Sequence, residues 1–155
     1  MLFKLKSMRR IFKQTLFFAA VAAVLTGCVG VYEDASELAQ GWGSKVEKIT
    51  PAELNNLVTA GEDLLIIDVR EEGEYFGENI PGSVNISKGV LEFSIGDADF
   101  WAQQFMYPPE AESKIVICSS NGDMGVLAAL SLKKSGYKNV LNLEGGFESY
   151  KQSFN

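Results

Sequence analysis

The chain has 155 residues, with 20 acidic and 14 basic side chains, two cysteines and no histidine. Without histidine, Ser-His and Cys-His catalysis and most zinc sites are excluded within one chain; no metal and no cofactor is expected. All 20 acidic residues but only 9 of the basic ones lie beyond Cys28, a formal charge of −11 for that part. A field of that sign repels nucleic acid and anionic lipid head groups, so no nucleic-acid partner is expected.

The N-terminal segment comes first in chain order. Lys4, Lys6, Arg9, Arg10 and Lys13 make a basic start, and Leu16 to Leu25 is almost wholly apolar. That run is too short to span a bilayer comfortably, which takes about 20 apolar residues, so a plain transmembrane anchor with an incidental Cys28 is the weaker alternative. A basic head, a short apolar run and small residues before a cut describe a secretory signal. The segment ends Leu25-Thr26-Gly27-Cys28, which resembles the bacterial lipobox. The resemblance implies a lipoprotein signal peptide over residues 1–27, cleaved before Cys28, and a diacylglycerol thioether on Cys28 with an acylated N-terminus. Two or more acyl chains anchor stably to a membrane where one does not. Val29 stands where an Asp would retain an enterobacterial lipoprotein at the inner membrane, so the expected place is the periplasmic face of the outer membrane. With Cys28 lipidated, Cys118 is the one free thiol and forms no internal disulfide.

Residues 28–44 are rich in Gly, Ala, Ser and acids and read as a lipidated tether, with room for a short helix over Asp34 to Gln40. The domain is expected over residues 45–155, long enough to bury a core. Val46 to Ile49 alternates as a short strand. Thr50-Pro51-Ala52-Glu53 is a helix start, with Thr at the N-cap, Pro at N1 and Glu at N3. Leu54, Leu57 and Val58 give that helix its apolar face, and Gly61 stops it. Leu64 to Ile67 and Lys114 to Ile117 are apolar runs of the kind covered on both faces of a sheet. Gly125 to Ser135 has helical spacing, and Val140 to Leu143 reads as a fourth strand. Strands alternating with helices argue for an α/β fold with a mostly parallel sheet, in which ligands bind at the carboxyl ends of strands.

Two segments lie at such ends: Asp68-Val69-Arg70, and Cys118 with the loop Ser119, Ser120, Asn121, Gly122, Asp123 and Met124. A strand–loop–helix turn can direct several backbone N–H groups into one cup, to which the helix N-terminus adds partial positive charge. A thiol at the base of such a cup is expected to have a lowered pKa and to serve as a nucleophile without histidine. A free cysteine is more often a buried small hydrophobe; the polarity of this loop favours the nucleophile. A buried charge at a strand end needs a partner. The aromatic segment Phe93 to Pro109 reads as core or as a lid that walls the pocket.

Several ordered motifs are similar to those of rhodanese domains. Ile67-Asp68-Val69-Arg70-Glu71 with Glu74-Tyr75, then Ile80-Pro81-Gly82-Ser83-Val84-Asn85-Ile86, match the front half. Ile115 to Cys118, Gly136-Tyr137-Lys138-Asn139-Val140 and Leu143-Glu144-Gly145-Gly146-Phe147 match the back half. The resemblance implies a rhodanese-like fold, a five-stranded parallel sheet with helices on both faces. It also implies sulfur transfer. Cys118 takes sulfane sulfur from a small donor, becomes a persulfide and passes the sulfur to a thiol or persulfide acceptor. Asp68 and Arg70 then tie the active-site loops together rather than act in catalysis.

The departures are equally specific. The family's loop commonly has Cys, four residues, then an Arg that holds an anionic donor; here Met124 stands at that place, in a loop one residue longer, and Asp123 adds a negative charge. Asn79 replaces the usual His before Ile-Pro-Gly, and Tyr150 the usual late Trp. Losing one charged hydrogen-bonding partner costs about 1.5–3 kcal/mol, which argues against tight binding of thiosulfate or phosphate. Two functions follow: a sulfurtransferase with weak thiosulfate activity, or a catalytically weak or inactive module that carries sulfur or docks a protein.

Overall fold

The computed structural model describes residues 31–154. The expectations for residues 1–27 and for Cys28 lie outside the described residues. Among the described residues no helix is long and apolar enough to cross a membrane.

The expected five-stranded parallel sheet is present, in the order β1-β5-β4-β2-β3. Its strands are β1 (Glu47–Ile49), β2 (Leu65–Asp68), β3 (Val84–Asn85), β4 (Lys114–Cys118) and β5 (Asn139–Leu143). Seven helices are described: α1 (Ala35–Gly43), α2 (Pro51–Ala60), α3 (Glu72–Gly77), α4 (Leu91–Ser94), α5 (Ala98–Gln103), α6 (Asp123–Lys134) and α7 (Gly146–Phe154).

Side chains alternate across the central strands because successive Cβ atoms point to opposite faces. Ile67, Ile115 and Ile117 face one side, where they pack with Val126, Ala129 and Leu132 of α6. Ile66, Val116 and Cys118 face the other side, with Leu54 of α2 and Phe147 of α7. The unbroken apolar runs of β2 and β4 are thus explained by helices on both faces. The Thr50 capping box forms as the sequence requires, and Gly61 closes α2 at φ +70°.

Packing begins before Lys45. Residues 35–43 form a helix, one residue on from the short segment expected, capped by the Asp34 carboxylate, which accepts from Glu37 N–H. Ala39 is buried and Trp42 half-buried in the same cluster as α6. Two apolar side chains three apart suffice for this short face. The helix is therefore part of the domain's packing rather than free tether.

The aromatic segment is core in part and does not wall the predicted site. Trp101 is fully buried and its indole N–H donates to Ile95 C=O at 2.8 Å. Phe93, Phe105 and Tyr107 are exposed. Met106 to Glu110 line a cavity of about 520 Å3 with Asp63 to Leu65, Ser113 and Lys114. Those residues lie at the amino ends of β2 and β4, the end away from Cys118.

Candidate functional site

The sheet brings the two predicted segments together. Asp68 and Cys118 are register partners at the carboxyl ends of adjacent strands β2 and β4. Partners in a parallel pair project to the same face, so the Asp68 carboxylate and the thiol are neighbours. Both are fully buried.

Asp68 and Arg70 form a buried pair. Arg70 Nε lies 3.0 and 3.1 Å from the two Asp68 oxygens, and Nη2 lies 2.7 Å from Oδ2. Arg70 N–H also donates to Asp68 Oδ1. Nη2 reaches Glu78 C=O at 2.8 Å, at the end of α3, and the guanidinium sits 3.9 Å from the Phe147 ring centroid on α7. Burial works against the Arg70 charge, but the hydrogen bonds and the charge of Asp68 outweigh it and raise its pKa. The pair joins β2, α3 and α7.

The loop holds its own backbone. Ser119 Oγ accepts from Gly122 N–H at 3.1 Å and from Gly125 N–H at 3.0 Å. Asn121 Oδ1 accepts from Asp123 N–H at 3.1 Å. On the other side, Phe147 N–H donates to Ser119 C=O at 2.7 Å and Glu148 N–H to Ser120 C=O at 3.0 Å. The first turn of α7 thereby grips the loop. Gly146 makes this possible: at φ +61°, its absent Cβ would stand 2.2 Å from Ser119 O. Ser120 Oγ donates to Glu74 of α3 at 3.0 Å.

These bonds take part of the expected cup. The N–H groups of Gly122, Asp123 and Gly125 are taken by loop side chains instead of converging on the sulfur. Ser119 is buried beside α6, on the face opposite Cys118, so its hydroxyl, not the thiol, caps the helix. Burial pushes the Cys118 thiol far above its ordinary value, the Asp68 carboxylate pushes it further, and Arg70 offsets part of the rise. The Cys118 Sγ lies 3.8 Å from Ser119 C=O.

A pH signature follows. The native state keeps a proton that the unfolded thiol releases near pH 8.5, so stability is full below that pH and falls above it. Unfolding free energy of the wild type, measured against Cys118→Ala by urea titration, is expected to fall by about 1.4 kcal/mol per pH unit above 8.5. A difference that stays flat to pH 10 would show a thiolate already present in the native state.

The remaining predicted residues have definite places. Gly122 is the N-cap of α6 at φ +94°, and Met124 is exposed in its first turn. Asp123 Oδ2 accepts from Asn121 Nδ2 at 3.1 Å and from Ser36 Oγ of α1 at 2.7 Å, so its charge is turned toward α1. Asn79 is exposed and donates to Tyr75 C=O. Sequence reading missed Ser36, Glu74 as the Ser120 partner, and Asn142, whose Nδ2 donates to Gly122 C=O at 3.0 Å. The Gly145-Gly146 pair was the available signal for a close approach. Among the described residues no group of three or more His, Cys, Asp or Glu side chains is placed to hold a metal ion.

Comparison with known proteins agrees with this geometry. Residues 50–153 match the rhodanese-like domain family. A putative sulfur carrier protein of Bacillus subtilis, YrkF, is 31% identical over 107 residues, covering 69% of this chain and 52% of its own. The probable adenylyltransferase/sulfurtransferase MoeZ of Mycobacterium tuberculosis is 28% identical over 79% of this chain and 28% of its own. The chain thus spans about half or less of the length of these relatives. Among solved structures, the human single-domain sulfurtransferase TSTD1 superposes with TM-score 0.65 at 25% identity, covering 71% of this chain and 99% of that one. A Rhodopseudomonas palustris protein described as a possible tyrosine phosphatase gives TM-score 0.66 at 27% identity, covering 80% and 93%. With a family match over two thirds of its length and the expected sheet around Cys118, the chain belongs to the rhodanese-like domain family.

Proposed function

We propose that this domain takes sulfane sulfur onto Cys118 as a persulfide and passes it to a thiol acceptor. The observation that carries the reading is the position of Cys118, at the carboxyl end of the central strand β4, below the loop that opens α6. Ligands of open parallel sheets bind at such strand ends. Relatives named sulfurtransferase and sulfur carrier support the same chemistry. The step balances as thiol–disulfide exchange does. The Cys118 thiolate attacks the outer sulfur of a persulfide R–S–SH, the S–S bond breaks, and R–S⁻ leaves and takes up the proton that Cys118 gave up. Transfer onward repeats the exchange with the acceptor thiol attacking the Cys118 persulfide.

The preferred donor is a neutral or thiol-bound persulfide. No Arg or Lys lies between Ser119 and Met124 to hold a dianion. Phosphatase action is disfavoured for the same reason. The closed thiol must be uncovered before it reacts, so slow uptake is expected in the resting protein.

A second reading has its own support. Full burial of Cys118 and a loop whose Ser119 side chain holds two of the N–H groups suit a module that carries sulfur, or docks a partner, without turnover. One experiment separates the two. Incubation with a low-molecular-weight persulfide should add about 32 daltons, the mass of one sulfur, to the wild type and nothing to Cys118→Ser. Discharge of that sulfur to added thiol over many cycles marks the sulfurtransferase; a stable adduct without cycling marks the carrier. No adduct on the wild type from any sulfane donor would end the sulfur reading.

A further inference from the structure

We propose that Ser36, on helix α1, is a positioning residue for the loop that covers Cys118. The inference rests on the reading of Cys118 as the sulfur-accepting group, because any donor must pass that loop. Helix α1 lies outside the segment that matches the family, so no family motif points to it.

The loop is tied unequally along its length. Its base is held by buried backbone bonds: Ser119 C=O to α7, and Gly122 and Gly125 N–H to Ser119 Oγ. Its tip differs in its side chains: Gly122 is pinned, its N–H by Ser119 Oγ and its C=O by Asn142 Nδ2 of β5, whereas Asn121 and Asp123 on either side of it are not buried. Asn121 is exposed, and its Nδ2 and the Asp123 N–H make a closed ring of bonds between these two residues alone. That ring ties the two side chains to each other and not to another element. The side-chain bond that fastens it to another element is Ser36 Oγ donating to Asp123 Oδ2 at 2.7 Å.

Helix α1 is firm enough to serve as the fixed point. Ala39 is 1% exposed against α6. Trp42 lies against Lys45 Nζ at 4.0 Å and Lys134 Nζ, on α6, at 5.9 Å from its ring centroid. Ser36 is half-buried one turn before Ala39. The hydroxyl also sets where the Asp123 charge lies. Asp123 lines a cavity of about 240 Å3 with Ala39, Gln40, Gly43, Ser44, Lys48 and Val126, on the α1 side. Without Ser36 the Asn121–Asp123 pair is free to swing about the Gly122 held between them, and the carboxylate is free to turn toward an incoming reagent. Two effects follow: freer access to Cys118, and stronger discrimination against anions.

Two alkylating probes that differ in charge read both effects. Iodoacetamide is neutral and iodoacetate anionic, and both need the same thiolate, so their rate ratio is independent of the thiol's pKa. The full chain is labelled at fixed pH and the product read at the peptide carrying Cys118. Ser36→Ala should raise the iodoacetamide rate about fivefold or more and the iodoacetate rate less, so the ratio widens. Ser36→Thr, which keeps the hydroxyl, should restore both rates. The gain should be independent of urea below the unfolding transition, as local opening is and global unfolding is not. An unchanged rate, a gain that tracks urea, or failure of Ser36→Thr to rescue would overturn the proposal. The assay reads access to the thiol and not sulfur chemistry. A protein that fails to take up sulfur would thus refute the functional reading while leaving these rates as found.

Discussion

Replacing Arg70 with Ala is expected to cost about 3–5 kcal/mol of stability, the range for removing one partner of a buried ion pair. Asp68 has no exposed surface, and Arg70 only 6%. Three side-chain contacts between them would go, leaving the carboxylate with the backbone N–H of residue 70 as its remaining donor from this pair. The damage extends beyond the pair. Glu78 C=O loses the guanidinium, and the face of Phe147 loses the cation stacked on it. Equilibrium unfolding in urea measures the loss. Replacing both residues, as Asp68→Leu with Arg70→Met, should cost far less, because no unpaired charge is left buried. A loss under 1 kcal/mol for Arg70→Ala would mean that water reaches Asp68. The thiol should respond in the same variant: Arg70 is the charge that favours the thiolate, so its removal should push Cys118 still higher.

Gly146→Ala should be the second large change, and its control is built into the same chain. Gly146 (φ +61°) and Gly61 (φ +70°) both have left-handed backbone, which costs a residue with a Cβ about 1–2 kcal/mol. The two differ in their surroundings. A Cβ at Gly61 meets nothing within 4 Å, whereas at Gly146 it stands 2.2 Å from Ser119 O and 2.6 Å from both Gly122 N and Ser120 O. Those are backbone atoms, so relief requires the loop itself to move. Overpacking of that kind adds about 1–3 kcal/mol. The expected losses are about 1 kcal/mol for Gly61→Ala and about 2–4 kcal/mol for Gly146→Ala, by the same urea measurement. The displaced loop should also leave Cys118 open to alkylating reagents. Equal losses at the two glycines would show that α7 does not grip the loop.

Much of the fold is legible in the sequence because it is written in local pattern. The apolar runs at Leu64–Ile67 and Lys114–Ile117 are β2 and β4, and the Thr50 box opens α2 where its spacing requires. Strand β3 is only Val84-Asn85, too short for any periodicity. It exists because the outer edge of β2 offers Ile67 and Asp68 as partners. Helix α3 buries none of its residues, and glycines stand at positions 73 and 77. No amphipathic stripe announces it; the Glu71–Glu74 cap and the bond to Ser120 hold it in place.

The site divides in the same manner. Cys118 and Asp68–Arg70 were visible as residue types at strand ends. The state of the thiol was not, because it depends on two matters that spacing does not encode. One is register: Asp68 stands beside Cys118 because β2 and β4 pair without offset. The other is competition for donors: a serine and an asparagine in the loop hold three N–H groups, those of Gly122, Asp123 and Gly125, that a lone strand–loop–helix pattern would leave for the sulfur. Ser36 could not be found at all by local reading, since its partner lies 87 residues away.

The place of β5 has a consequence for how the chain assembles. It is the last strand made, yet it lies between β1 and β4. Glu47 on the first strand pairs with Leu141 on the last, and Ile115 with Val140. Until residues 139–143 are available, β1 has no neighbour and the sheet has a gap beside its central strand. Closing so long a stretch of chain costs entropy before any contact offsets it, and folding that depends on distant pairings is slow. As the polypeptide emerges from its N-terminus, β2, β3 and β4 can pair with one another, but β1 must wait. The final insertion of one strand joins β1 to those three and closes the sheet.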